Sequence, residues 1–221
     1  VVVESVLHFI TFILLFNVQM YEKTPNSGQR IANYLVILPE IRFEMVEEII
    51  SKYCQGNALL EEVLCRHSRD VANRALRVAK EHPELKADEK LIWEGAMLHD
   101  IGVVKVDAPS IYCYGTEPYI RHGILGAEIL RNEGLHLHAR IAERHTGTGL
   151  TMAEIERQNL PLPLQDFTPQ SIEEQIICYA DKFFSKTRPG VEKTSEQAIR
   201  SLEKFGGEGI EVFKAWMVRF E

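Results

Sequence analysis

Residues 59–80 read LLEEVLCRHSRDVANRALRVAK. Leu60, Val63, Leu64, Val71, Ala75 and Val78 recur at a spacing that lines one face of an α-helix. His67 stands inside that stripe, four residues after Val63 and four before Val71. The exception repeats elsewhere. Asp181 falls among Ile172, Ile176, Ile177, Ala180 and Phe184, and His122 opens a helix striped by Leu125, Gly126, Ile129 and Leu130. His145 shares a stripe with His138, Ile141 and Ala142, and the adjacent pair His99-Asp100 follows the inward positions Trp93, Ala96 and Met97. An unpaired carboxylate on a core face costs several kcal/mol or more. A lone His on such a face is usually a hydrogen-bonded core residue, and a lone Asp usually pairs with an Arg. Four imidazoles and two carboxylates together are better explained by a shared cation, because these are groups that transition metals bind.

On both sides of this stretch the chain reads as successive helices. Met45–Tyr53 forms a short one, and Leu59–Lys80 a long one stopped by Pro83. Asp88 caps a helix expected to end at Ile101-Gly102, followed by a loop over Val103–Tyr119. Helices are expected at 122–132 and 136–145, parted by Gly134. Thr151 with Glu154 and Ser171 with Glu174 read as capping boxes, the second opening the helix that carries Asp181. Final helices at 192–204 and 208–220 are split by Gly206-Gly207. No repeat, low-complexity tract or strand pattern stands out, so the expected fold is all-α.

Residues 1–44 read differently from residues 45–221. The run Val6–Val18 is broken by His8, Thr11 and Asn17 and falls short of the roughly 20 residues of a stable membrane span. Glu4 replaces the basic start of a secretion signal. Tyr21–Arg30, with Pro25, Asn26 and Gly28, reads as a linker, and Met20 and Met45 are both candidate translation starts. The expectation is an N-terminal extension outside the functional domain, with an added packing helix or weak membrane anchor as alternatives. A net charge of −7 and the lack of a Lys/Arg run argue against a nucleic-acid polymer as partner. Cys54, Cys65, Cys113 and Cys178 have no CxxC pairing and read as reduced thiols of a cytoplasmic protein.

Asp100 lies at a helix C-terminus, where the macrodipole disfavours a carboxylate and a cation would reverse the sign. His145 and His122 also lie at helix ends, which puts a pocket mouth within reach. His136 and His138 are read as hydrogen-bonded residues, with His138 placed to support His145. His82 precedes Pro83 and is read as surface, and His8 lies in the extension.

Taken in order, His67, His99-Asp100 and Asp181 resemble the H…HD…D signature of the HD superfamily of metal-dependent phosphohydrolases. His99-Asp-Ile-Gly102 matches its HDIG variant. The resemblance covers about residues 57–186 and implies an all-α HD-domain bundle with a metal site in its core. The added His122 and His145 resemble the dinuclear members, which include bacterial diadenosine tetraphosphate hydrolases and cyclic-di-GMP phosphodiesterases. It implies that His67, His99, Asp100 and Asp181 hold one ion, and that Asp100 bridges to a second held by His122 and His145. The text after His145 is Thr-Gly-Thr-Gly-Leu150, which departs from the Gly-Tyr-Pro motif of the cyclic-dinucleotide branch.

The implied activity is hydrolysis of a phosphate ester or anhydride of a nucleotide or small phosphorylated compound by a metal-bound hydroxide. Two ions roughly 3.5–4 Å apart polarise phosphoryl oxygens and acidify a shared water. Mixed N/O ligation suits Fe, Mn, Co, Ni or Zn. Asp100 is the expected catalytic bridge, with Lys182 and Arg144 as the cations that neutralise phosphoryl oxygens. Arg121 and Lys105 are secondary candidates, and Tyr112, Tyr114 and Tyr119 could stack on a base. Asp70 could orient His67 or pair with Arg66 or Arg74. Two alternatives stay open: a non-catalytic sensor that binds a phosphorylated ligand at the same cage, and a di-iron oxygenase-like redox enzyme.

Overall fold

The computed structural model describes residues 45–203 and 207–221, and the expectations for the N-terminal extension lie outside them. The chain divides into two units, Val1–Met45 and Val46–Glu221. The described residues form α1 (45–54), α2 (Ala58–Glu81), α3 (Glu89–Leu98), α4 (His122–Asn132), α5 (His136–Arg144), α6 (Met152–Arg157), α7 (Ile172–Asp181), α8 (Ser195–Leu202) and α9 (Gly207–Phe220). The fold is all-α, as the periodicity implies. The one sheet among the described residues, apart from isolated bridges such as Leu150 with Phe167, is a two-stranded antiparallel ribbon, β1 (Asp107–Ala108) with β2 (Cys113–Tyr114). At two residues per strand it is too short for an alternating pattern, and in sequence it reads as loop.

Side-chain caps set several starts. Asn57 accepts from the Leu60 amide at 3.1 Å, which begins α2 at Ala58. Asp88 accepts from the Lys90 and Leu91 amides, and complete capping boxes open α6 at Thr151, α7 at Ser171 and α8 at Thr194. The Thr194 box places the start of α8 three residues after the expected 192.

α2 packs on α3 and α7, α3 and α7 pack on α5, and α4 lies along α5. Leu60, Leu64, Val71, Ala72, Ala75 and Val78 of α2 are buried, and so are Ile176, Ile177 and Ala180 of α7. On α3, Ile92, Ala96 and Met97 take the interior while Trp93 is half-buried. Each fully buried Leu, Ile or Val contributes about 1.5–3 kcal/mol. That apolar framework surrounds His67, His99, Asp100, His122 and His145, all of which are buried.

Candidate metal centre

Each polar intruder is placed by a specific local device. His67 occupies the middle of α2. α3 ends at Leu98, earlier than the expected Ile101-Gly102, because the chain tightens at the His99 cap into a 3₁₀ turn over Ile101–Lys105. That turn brings Asp100 alongside His99. Gly102 lets the turn press against the start of α4, since a Cβ there would lie 2.0 Å from the His122 carbonyl oxygen and 2.3 Å from the Gly126 nitrogen. Gly123 allows α4 and α5 a similar approach, its added Cβ falling 2.8 Å from the Ala142 carbonyl oxygen. His122 begins α4, His145 caps α5 and Asp181 ends α7.

These six residues meet as two sets that share Asp100. In the first, Asp100 Oδ2 is 3.1 Å from both His67 Nε2 and His99 Nε2. Asp181 Oδ1 is 3.0 Å from His67 Nε2 and 3.6 Å from His99 Nε2. In the second, Asp100 Oδ1 is 3.5 Å from His122 Nε2 and 3.3 Å from His145 Nε2. Within each set the ligating atoms lie within 4.8 Å of one another. Atoms bound about 2.1 Å from one ion at octahedral or tetrahedral angles stand roughly 3.0–3.4 Å apart, so the spacing suits a shared ion.

Ring orientation supports the same fit. His99, His122 and His145 each direct Nδ1 at a backbone carbonyl, of Ala96 at 2.6 Å, Tyr119 at 2.7 Å and Ala142 at 2.7 Å. A carbonyl only accepts, so Nδ1 carries the proton, and in each neutral ring Nε2 turns a lone pair inward, as metal-binding histidines do. His67 Nε2, His99 Nε2 and Asp100 Oδ1 are buried without a hydrogen bond, while Asp100 Oδ2 has the Lys186 ammonium against it. Buried polar atoms left in this state are costly, and a divalent cation satisfies all of them at once.

Without ions, protons and lysines balance the cage. Burial alone would lower the His99 pKa, but Asp100 and Asp181 outweigh it and hold the ring up to about 9. Burial and the neighbouring His145 push His122 down to about 3, and burial with His99 nearby lowers His145. Burial opposes ionisation of Asp100, yet His99 and Lys186 keep its carboxyl well below the usual range. Against the same opposition, Lys182 does likewise for Asp181.

The cage opens into a cavity of about 720 Å³, lined on the cage side by His67, His122, His145, Asp181, Lys182 and Lys186. Lys182 Nζ donates to Asp181 Oδ2 at 2.7 Å and to the His145 carbonyl at 3.0 Å. Arg144 is not among the lining residues. Its guanidinium donates to the Thr168 carbonyl at 3.2 Å and lies 3.7 Å from Glu174, a buried carboxylate whose nearer cation is Arg140 at 2.9 Å. Lys105 pairs with Glu128 and Arg121 with Glu117. Tyr119 lines the cavity, whereas Tyr112 and Tyr114 do not. Asp70 accepts from the Gly190 amide at 2.9 Å, while His67 Nδ1 has no hydrogen bond. His138 pairs with buried Glu94 at 3.1 Å. Lys186 is the cage residue that sequence reasoning passes over. It follows α7 in a polar Ser-Lys-Thr-Arg stretch, where no apolar stripe marks a charge as out of place.

Fold and site together define a class: an α-helical protein with candidate His/Asp metal-binding clusters in its core. The chain belongs to the HD-domain family, whose model matches residues 64–185, more than half its length. A tRNA (cytidine(56)-2′-O)-methyltransferase of Picrophilus torridus is 38% identical over 129 residues, 58% of this chain and 33% of that protein. The corresponding protein of Thermoplasma volcanium is 34% identical over 125 residues, 56% of this chain and 32% of that protein. The chain thus spans about a third of the length of these two relatives. An uncharacterized protein of Methanocaldococcus jannaschii is 32% identical over 151 residues, 67% of this chain and 78% of that one. Two structures of the HD domain of L. monocytogenes phosphodiesterase PgpH, one in complex with cyclic-di-AMP, align over 77% of this chain. They cover 93% and 92% of those chains at 18% and 19% identity, both with TM-score 0.46. The HD domain and its clustered ligands support metal-dependent phosphohydrolase chemistry in general. Among the described residues no helix is long and apolar enough to cross a membrane.

Proposed function

We propose that residues 45–221 form a dinuclear metal-dependent phosphohydrolase acting on a small phosphorylated compound, with nucleotides the first class to assay. The observation that carries this reading is the double use of Asp100, whose Oδ2 faces one set of ligands and whose Oδ1 faces the other. On this reading His67, His99, Asp100 and Asp181 hold one ion, and Asp100, His122 and His145 hold the second. Fe, Mn, Co, Ni or Zn fits the mixed N/O donors. Bound divalent ions supply Lewis acidity toward phosphoryl oxygens and make water a nucleophile near neutral pH.

The remaining work falls to the protein's own groups. Asp100 fixes the separation of the two sets. Lys182 keeps Asp181 anionic and, through the His145 carbonyl, ties the end of α7 to the end of α5. Tyr119, Ile120, Leu160 and Phe184 give the cavity an apolar and aromatic wall against which the rest of the substrate packs. Arg144 acts through Glu174 and Thr168 on the scaffold, and so supports the site without contacting substrate.

The deciding experiment combines metal analysis of protein purified without chelating tags with hydrolysis of chromogenic phosphate esters in added Mn²⁺ or Fe²⁺. Two ions per chain, falling to about one in His122→Ala, together with turnover, is the expected result. Ligand-dependent thermal shifts across a nucleotide panel without turnover would replace the enzyme with a sensor. Oxygen consumption by a reduced di-iron form would replace hydrolysis with redox chemistry.

A further inference from the structure

Lys186 occupies an unusual place for a lysine. Its side chain is 12% exposed, and Nζ lies 2.6 Å from Asp100 Oδ2, the oxygen that also faces His67 and His99. The same Nζ donates to the Tyr119 hydroxyl at 3.1 Å. The Tyr119 ring in turn lies against His122, with centroids 4.7 Å apart and planes tilted by 30°. One ammonium therefore links the carboxylate shared by both ligand sets to an aromatic residue of the cavity wall.

Lys186 is carried by the segment after α7, which is held at several points. The Lys193 amide donates to the Phe183 carbonyl, Lys193 Nζ donates to the Lys182 carbonyl, and Asp70 accepts from the Gly190 amide. With the backbone fixed, the four-carbon stem supplies the reach. An ammonium brings one charge and three donors to the cage, whereas a divalent ion brings two charges and takes lone pairs from His67, His99, Asp100 and Asp181 together. Once an ion engages Asp100 Oδ2, a cation 2.6 Å from that oxygen is repelled. The open side is the cavity that Lys186 already lines. There the ammonium meets the non-bridging oxygens of a phosphoryl group held at the cage. Tyr119, relieved of its donor, is free to give its own hydroxyl proton to one of them.

We infer that Lys186 is both a built-in counter-cation, displaced from Asp100 by metal, and with Tyr119 the catalytic clamp on the phosphoryl group. This rests on the hydrolase reading. It moves the phosphate-neutralising role from Lys182 and Arg144, whose donors are held by Asp181, the His145 carbonyl, Thr168 and Glu174.

The test is calorimetry on the full chain with two probes, Mn²⁺ into metal-free protein and inorganic phosphate into Mn²⁺-loaded protein. Lys186→Met should bind Mn²⁺ several-fold more tightly, because no ammonium remains to be displaced. Its phosphate affinity should fall roughly ten- to a hundredfold, the range for losing a charge-assisted hydrogen bond. Lys186→Arg should retain most phosphate affinity, and Tyr119→Phe should lose several-fold with Mn²⁺ affinity unchanged. Circular dichroism controls for folding, and the Arg and Phe variants carry the test should the Met variant unfold. Unchanged or weaker Mn²⁺ binding in Lys186→Met, or unchanged phosphate affinity in either Lys186→Met or Tyr119→Phe, overturns the inference. If wild type still binds two ions and turns over, the hydrolase reading survives that result. Wild-type protein that binds no metal would sink both.

Discussion

His122 Nε2 faces His145 Nε2 at 3.0 Å, and each ring commits its Nδ1 to a backbone carbonyl. Two neutral imidazoles in this pose point lone pairs at each other. The arrangement makes chemical sense as half of a cation site, with Asp100 Oδ1 completing the triangle at 3.5 and 3.3 Å. Neither ring can escape by exchanging tautomers, because the carbonyls of Tyr119 and Ala142 would then face unprotonated nitrogens.

This pose predicts that divalent ions stabilise the fold. Chelator-treated protein should keep its helical circular dichroism, since the apolar framework around the cage is intact without ions. Mn²⁺ at a hundred times its Kd should add about 2.7 kcal/mol per independent site. For a domain of this size that is about 5–11 °C in Tm. His122→Ala should forfeit the share that belongs to the second ion. A Tm indifferent to Mn²⁺ would mean that the cage binds no ion.

Asp100 is the residue both sets require, so its removal should be more damaging than loss of any one imidazole. Asp100→Ala is expected to abolish turnover and lower metal content while far-UV circular dichroism stays close to wild type. The fold is expected to be retained because the apolar faces of α2, α3, α5 and α7 pack without Asp100, and Lys186, which lines the cavity, can turn its ammonium toward water once the carboxylate is gone. Residual activity above a few per cent in this variant would contradict the bridging role.

Much of this was legible in sequence, for a physical reason. His67, His122, His145 and Asp181 announce themselves because helical periodicity makes a polar residue on an apolar face visible. The capping boxes of Thr151 and Ser171 were equally plain, because their partners lie three residues away. What could not be read depends on tertiary approach. Lys186 leaves no trace in periodicity, since it follows a helix among polar neighbours. Arg144 sits next to His145 in the chain, yet a neighbour in a helix points elsewhere, and its guanidinium goes to the Thr168 carbonyl and the edge of the Arg140–Glu174 pair. The end of α3 at Leu98 depends on the close approach of Gly102 to α4, which no local signal encodes.

The thiols set an alkaline limit on stability. Burial pushes Cys54 up to about 12, reinforced by the charge of Glu61, and burial takes Cys113 to about 11. An unfolded thiol ionises near 8.5, so the folded protein holds protons that the unfolded chain loses. The thiols' contribution to stability is therefore complete below about pH 8.5 and declines as pH rises toward the folded values. The slope is at most about 1.4 kcal/mol per pH unit for each thiol. Urea denaturation from about pH 8 to pH 11 should show Cys54→Ala losing stability less steeply than wild type. Parallel curves for the two proteins would show that Cys54 does not hold its proton in the fold.

Gly102 offers the sharpest separation between the two ligand sets. Its backbone passes so near α4 that a methyl group would meet the His122 carbonyl oxygen at 2.0 Å, well inside contact distance. Gly126 stands behind it at 2.3 Å and is itself backbone, so no flexible side chain can yield. Gly102→Ala must then move either the 3₁₀ turn or the first turn of α4. Overpacking of this kind costs about 1–3 kcal/mol. His122 opens α4 and yields first, so the displacement falls mainly on the contact between Asp100 and His122, while α2, α3 and α7 still bring His67, His99 and Asp181 together around Asp100. The variant is expected to melt several degrees lower and to bind one ion where wild type binds two, with the first ion's affinity within a fewfold of wild type. Thermal melts and metal stoichiometry read the two effects separately. Two ions at wild-type affinity in a protein that melts normally would show that the close approach of Gly102 to α4 is not what builds the second half of the cage.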